Sequence, residues 1–244
     1  MDIVSKIPHH RKGLFLISLT AFLWSTSGLF IKILTVNAFV ISFYRSLIAA
    51  LTLLVITYAK NRRIKFEFDA LTILASVFYS GILIFFVLAN KMTTSANAIF
   101  LQFTAPIYLL FLEPLFLKTK FRPRDLITII ICIAGMALFF SEKLEAGGIY
   151  GNIIAVIAGI CFALFSLFVK WKRNLGSDNT IISVILGNFL VAIISLPIVY
   201  SELAITTSQF FILLYMGIVQ IGISYFIFNI GIKYVSATES MIIG

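Results

Sequence analysis

Eight apolar runs of about the length that crosses a bilayer, each separated from the next by a short polar link, constrain this chain more than any other feature. About 20 apolar residues span the hydrocarbon layer as a helix, and in lipid only helices or closed barrels satisfy their own backbone. The runs predict helices over roughly 13–34, 36–58, 69–90, 93–117, 125–140, 150–170, 179–200 and 208–231. Composition agrees, since 61% of the 244 residues are hydrophobic and only 12% are charged. The fold class is therefore an all-α integral membrane protein. A ninth apolar stretch begins near Ser236 and stops at Gly244, too short to cross, so the sequence is read as a fragment or a truncation.

The 19 Lys and Arg against 10 Asp and Glu do not form a nucleic-acid face. They sit in alternate links. Lys6, Arg11 and Lys12, then Lys60, Arg62, Arg63 and Lys65, then Lys118, Lys120, Arg122 and Arg124, then Lys170, Lys172 and Arg173, and finally Lys233 fall on one side. The opposite links hold Lys91 and Lys143. This bias predicts a cytoplasmic N-terminus and a multi-pass protein of the cell (inner or plasma) membrane. The expected partners are the lipid bilayer and a small-molecule substrate, with no nucleic acid; a homodimer is left open. Cys132 and Cys161 lie inside apolar runs and His9 and His10 are adjacent in the tail, so no disulfide framework, metal site or cofactor is predicted. No small-residue cleavage pattern follows the first run, which is read as a retained helix.

The fourth run carries more polar and backbone-breaking chemistry than an anchor needs. Pro106 and Pro114 remove hydrogen bonds to the carbonyls of Gln102 and Leu110. Gln102, Pro106, Leu109 and Glu113 follow at helical steps, so that side is expected to face the bundle interior. In the second run Arg45 lies about nine residues deep, roughly 13 Å, too far to snorkel. Ser42, Arg45, Ala49 and Thr52 form one small, polar stripe beside it. Trp24, Ser25, Thr26 and Ser27 in the first run, Tyr79 in the third, Asn188 in the seventh, and Gln220 and Ser224 in the eighth reach comparable depth. Together with Gln102 and Arg45 they are the candidate substrate-binding set, and Pro106, Pro114, Pro197 and Gly222 are candidate helix-break or gating points. Singly, each hydroxyl has a packing explanation, because Ser and Thr bond within their own helix. Ala155, Gly159 and Ala163, spaced by four, read as a packing seam.

Two internal matches stand out. KMTTSANA (91–98) aligns with KYVSATES (233–240), and GLFIK (28–32) with SLFVK (166–170). Both give a period of five helices, and because five is odd the second copy must be upside down. Lys32 would end its helix on one side of the membrane and Lys170 on the other. An inverted repeat of five-helix halves, over 1–140 and 150–244, is the predicted organisation, with ten helices expected and about eight and a half present.

The segments WSTSGLFIK, FYRSLIAALTLL, TTSANAIFLQFTAPIY and KYVSATES, in this order and spacing, resemble the EamA branch of the drug/metabolite transporter superfamily. The resemblance covers essentially the whole chain. It implies two inverted five-helix halves around a central cavity and export of amino acids or other small metabolites. One departure concerns the turn after the fourth helix, where the family usually has a Gly-Glu-Arg-like sequence and this chain has Lys118, Thr119 and Lys120. No role is carried over for that glutamate. The end of the ninth helix and the tenth are absent from the sequence.

The acids narrow the function. The first run has no Asp or Glu, so the embedded glutamate on which small cationic-drug exporters depend is lacking there. Glu113 and Glu239 sit near helix ends, roughly 15 Å from Arg45 along the axis. An intramembrane charge is a functional candidate by default, and a substrate carboxylate or phosphate would supply the partner Arg45 lacks. The competing reading is a structural arginine bonded to carbonyls freed at a helix break. An enzyme is not expected, since no nucleophile with a base, metal triad or carboxylate pair can be assembled at mid-depth, and no P-loop is present. The predicted function is thus a secondary transporter of zwitterionic or anionic metabolites working by alternating access; a non-transporting scaffold and a carrier of drugs or sugars are the alternatives.

Overall fold

The computed structural model describes residues 7–62, 66, 68–118, 126–127, 129–131, 134–135, 138, 148–178, 180–232 and 234–235. Within them 7 helical stretches are long and apolar enough to cross a membrane. In chain order, α1 (Ile7–Ser25) and α2 (Ser27–Ile33) make the first crossing, α3 (Ala38–Asn61) the second, α4 (Ala70–Met92) the third, and α5 (Ser95–Gln102) with α6 (Ala105–Leu117) the fourth. The sixth and seventh are α7 (Ile149–Asn174) and α8 (Thr180–Val199). The eighth is α9 (Thr207–Tyr215), a π-helical segment (Met216–Ile223) and α10 (Ser224–Gly231). Of the fifth predicted run only residues 126–127, 129–131, 134–135 and 138 are described, and the stretch from Ser236 lies outside the described residues. Among the described residues there is no strand.

Local chemistry sets the helix starts. Asn37 accepts from the Phe39 N–H to begin α3, Asp69 from the Leu71 and Thr72 N–H groups to begin α4, and Thr94 from the Asn97 N–H to begin α5. Thr206 and Gln209 form a reciprocal capping box at α9.

Three crossings that the apolar pattern predicts as single helices are interrupted. In the first, Ser25 Oγ donates to the Phe22 carbonyl and Thr26 Oγ1 to that of Leu23, each at 2.8 Å, and the helix breaks at Thr26. Adjacent hydroxyls folded back on the preceding turn compete with the helical ladder. In the fourth, the break falls at Phe103 and Thr104, before the proline and not around it. Pro106 then sits in the first turn of α6, where its missing N–H costs nothing. This corrects the expectation that Pro106 opens a turn in mid-helix; Pro114 alone remains inside α6. In the eighth, the backbone widens into the π segment that holds Gln220 and Gly222.

α4 is the central element, packed on α7, α8 and α3. α3 also meets the π segment, α7 carries α5 and α6, and α1 packs on α10. The Ala155, Gly159, Ala163 face of α7 is buried, with Ala155 against Ala98 and Ala163 against Ala105 and Leu109. Leu109 is buried here while Gln102, Pro106 and Glu113 are half-buried along the same side. Phe15, Phe22, Val55, Phe111, Leu115 and Ile193 project outward and suit a lipid surface. Lys32 bonds the Thr93 carbonyl beyond the end of α4, whereas Lys172, just past Lys170, bonds Asp69 at its start. The segments 28–32 and 166–170 therefore run in opposite senses, as the repeat requires.

Candidate functional site

Arg45 is the largest fully buried side chain among the described residues, 2% exposed. It sits one turn from Ser42 and Ala49 on the buried stripe of α3; Thr52, half-buried, folds its hydroxyl back on the Ile48 carbonyl. Its Nη2 donates to the Leu83 carbonyl of α4 at 3.2 Å, and its Nε has no partner. Leu83 lies inside an unbroken helix, so the arginine is not serving carbonyls freed at a helix break. Among the described residues no carboxylate pairs with it.

Three other helices bring polar groups toward the guanidinium. Tyr79 of α4 is fully buried, and its hydroxyl faces Arg45, the Tyr225 hydroxyl of α10 and the Asn188 amide of α8, with no partner at hydrogen-bonding geometry. The approach of α8 depends on Gly187, where a Cβ would stand 2.7 Å from the Tyr79 ring and 2.8 Å from the Ser76 carbonyl. Gly217 does the same for the π segment, lying against Ile48 and the Arg45 carbonyl. Asn188 is 0% exposed; its Nδ2 donates to the Val184 carbonyl at 2.9 Å and its Oδ1 is unpaired. An aromatic row runs alongside: Trp24 meets Tyr225 at 5.1 Å and Phe228 at 5.4 Å between ring centroids, and Tyr225 meets Tyr79 edge-on at 5.3 Å.

The remaining candidates separate. Gln220 is buried and its Nε2 donates to Thr26 Oγ1 at 2.9 Å, tying the π segment to the break in the first crossing. Ser27 is buried one residue beyond that break. Ser224 is buried and turned back on the Val219 carbonyl. Ser25 is exposed and bonded within its own helix, away from the buried set. Gln102 places its backbone against Gly159 of α7. Pro197 is exposed within α8, Pro114 half-buried in α6, and Gly222 buried against Thr52. Tyr225 is absent from the sequence-derived set; nothing in the aromatic run 224–228 marks it except its place next to Ser224.

Charged groups gather at the two ends of the bundle. At the end where α4 begins, Lys172 of α7 donates to Asp69 and Thr72, Lys170 meets Glu113 of α6 at 2.6 Å, and Arg173 meets Asp178 at 3.6 Å. Burial pushes the Asp69 carboxyl up, but the hydrogen bonds from Lys172 and Thr72 outweigh it and hold it well below the usual carboxylate range. At the other end Lys32 donates to the Thr93 carbonyl and Lys91 to the Leu34 carbonyl, a reciprocal exchange between α2 and α4. Thr93, Asn97 and Asn152 close a small polar knot beside them. Among the described residues no three His, Cys, Asp or Glu side chains assemble into a metal-holding group.

The profile of the EamA-like transporter family matches residues 11–141 and 149–244. An uncharacterized transporter of Archaeoglobus fulgidus is 28% identical over 167 residues, 65% of this chain and 57% of that protein. One of Helicobacter pylori strain J99 is 30% identical over 144 residues, 57% of this chain and 48% of that protein. The chain thus spans about half the length of the curated relatives it matches. A crystal structure superimposes with a TM-score of 0.70 at 15% identity, over 99% of this chain and 84% of that one, a likeness of fold alone.

Proposed function

Because the chain belongs to the EamA-like transporter family, we propose that it is a secondary carrier exporting amino acids or related small zwitterionic or anionic metabolites, with Arg45 as the group that receives the substrate's anionic end. The observation that carries this reading is the state of Arg45: 2% exposed, held by one carbonyl, its Nε unpaired and without a carboxylate among the described residues. A charge so placed is costly unless compensated, and a bound carboxylate accepts from a guanidinium in the geometry it offers best. The two repeats at 1–140 and 150–244 are taken as the halves that rock about this centre. The end bearing Lys60, Arg62, Lys118, Lys170, Lys172 and Arg173 is assigned to the cytoplasm, with the N-terminus, in the cell membrane.

The test is uptake and efflux of labelled amino acids and small carboxylates by the protein in proteoliposomes, beside Arg45→Ala and Arg45→Lys. The expected result is flux of a carboxylate-bearing solute that Arg45→Ala abolishes and Arg45→Lys partly retains. Flux untouched by Arg45→Ala in a folded protein removes Arg45 from recognition, and flux of lipophilic cations but of no carboxylate overturns the substrate class.

A further inference from the structure

Resting on the reading of the chain as a carrier, we infer that Gly151 and Gly13 are the seats of two matched gates, one at each end of the bundle, and that the bond between Thr93 and Asn152 makes the Gly151 gate the harder to open.

The two internal matches fix the comparison. The match that sets Gly28 over Ser166 also sets Gly13 over Gly151, and the match that sets Lys91 over Lys233 sets Met92 and Thr93 over Tyr234 and Val235. The structure brings the products of the two matches together. A Cβ on Gly151, near the start of α7, would stand 2.7 Å from the Met92 carbonyl carbon and 2.8 Å from the Thr93 nitrogen. A Cβ on Gly13, in α1, would stand 2.7 Å from Tyr234 Cβ and 2.9 Å from Val235 Cγ1. At each end, then, the link that leaves one crossing rests on a glycine of the crossing that opens the other repeat. One turn deeper the match holds again: Ile17 lies against Gly231, and the matched Ala155 and Ala89 share one small buried cluster. Contacts between opposite repeats are those that part when the halves rock, and a glycine lets backbone approach closely enough to shut each end tightly. With both seats filled, Arg45 between them is 2% exposed.

The seats differ in chemistry. At Gly151, Thr93 Oγ1 donates to Asn152 Oδ1 at 2.8 Å, Asn97 Nδ2 donates to the same oxygen at 3.0 Å, and Lys32 holds the Thr93 carbonyl at 2.7 Å. At Gly13 the residues matched to Asn152 and Thr93 are Leu14 and Val235, whose side chains can form no such bonds. There His9 stacks on Tyr234 instead, ring centroids 5.7 Å apart. Opening the Gly151 seat across the repeats must break the bonds to Asn152, each worth about 1 hydrogen bond of stability, and opening the Gly13 seat meets no equivalent. The carrier at rest therefore opens toward the end that holds its N-terminus, where an exporter takes up its substrate.

The experiment is hydrogen–deuterium exchange of the full chain in nanodiscs, followed around 92–97 and 148–152 for one seat and around 10–14 and 234–235 for the other, beside flux in proteoliposomes. The wild type should exchange about tenfold faster at the Gly13 seat, the worth of one to two hydrogen bonds. Asn152→Leu, which gives the Gly151 seat the chemistry of its counterpart, should speed exchange there about tenfold and bring the two seats together. Gly151→Ala should speed exchange at its own seat and leave the other as it was, and Gly13→Ala should do the reverse. Thr93→Cys with Asn152→Cys replaces two side chains already in contact; once mass spectrometry shows their disulfide formed, flux should stop, and reduction should restore it. Where a glycine variant does not fold, Asn152→Leu and the disulfide pair decide. Equal exchange at the two seats of the wild type, an Asn152→Leu that leaves the difference in place, or flux that continues through the closed disulfide overturns the inference while the carrier reading stands. No flux of any solute by the wild type overturns the carrier reading, and the gates with it.

Discussion

Lys172 and Arg45 are both nearly inaccessible cations, 7% and 2% exposed, and the molecule treats them in opposite ways. At the end of the bundle where α4 begins, Lys172 reaches the carboxylate of Asp69 and the hydroxyl of Thr72, and Lys170 close by has Glu113. Acid and base are both at hand there, and the charges close on one another. At the centre Arg45 has one backbone carbonyl, two tyrosines facing it and no acid among the described residues. The first arrangement fastens α7 to α4 and α6. The second leaves a charge open where openness is hardest to sustain, and an unmet charge at such a place is a functional feature more readily than a structural one.

The contrast can be broken from either side. The largest expected effect is at Arg45: replacement by Met should lower transport about a hundredfold, the scale for removing one partner of a desolvated charge pair. Melting of the same variant in detergent should not drop, since an apolar residue of similar volume replaces a charge with no acidic partner among the described residues. A large fall in melting temperature with transport preserved would reverse the assignment. Asp69→Asn should do the opposite, leaving transport in place and costing about 1–2 kcal/mol of stability, between the values for buried and exposed pairs. Because the Asp69 carboxyl is held below its ordinary range, its contribution is complete above about pH 4 and fades as pH falls through the lowered value. A melting curve in acid should therefore separate wild type from Asp69→Asn at pH 6 and bring them together at low pH. Glu113→Gln removes a half-exposed pair and should cost about 0.5–1 kcal/mol, an effect that shrinks in high salt. Asp178→Asn breaks a longer, exposed contact and should stay within about 0.5 kcal/mol of wild type.

How much of this was readable beforehand differs from residue to residue. The crossings were legible because lipid admits few backbone solutions and the apolar runs are long, and α3, α4, α7 and α8 end within a few residues of where the runs do. The interruptions were not. Ser25, Thr26 and Ser27 are compatible with a helix in isolation, and only the bonds to Phe22 and Leu23 with the tie from Gln220 place the break. Proline in the fourth run announced a break but displaced its expected position, since proline is tolerated in a first turn. The π segment has no proline at all; its glycines lie against Ile48, the Arg45 carbonyl and Thr52, contacts that no periodicity encodes. Depth along a helix was likewise readable while azimuth was not, which is why Ser25 is exposed and Ser27, two residues on, is buried.

By itself the sequence determined that this chain is a bundle of membrane-crossing helices, which of its links carry the positive charge, and that Arg45 stands well inside an apolar run. Those properties are local or follow from the solvent the chain must occupy. Which groups surround Arg45 was decided only by tertiary structure. Leu83, Tyr79, Asn188 and Tyr225 come from three helices whose approach depends on Gly187 and Gly217, and the pairing of one helix face with another is a property of shape that residue spacing along a single helix does not contain.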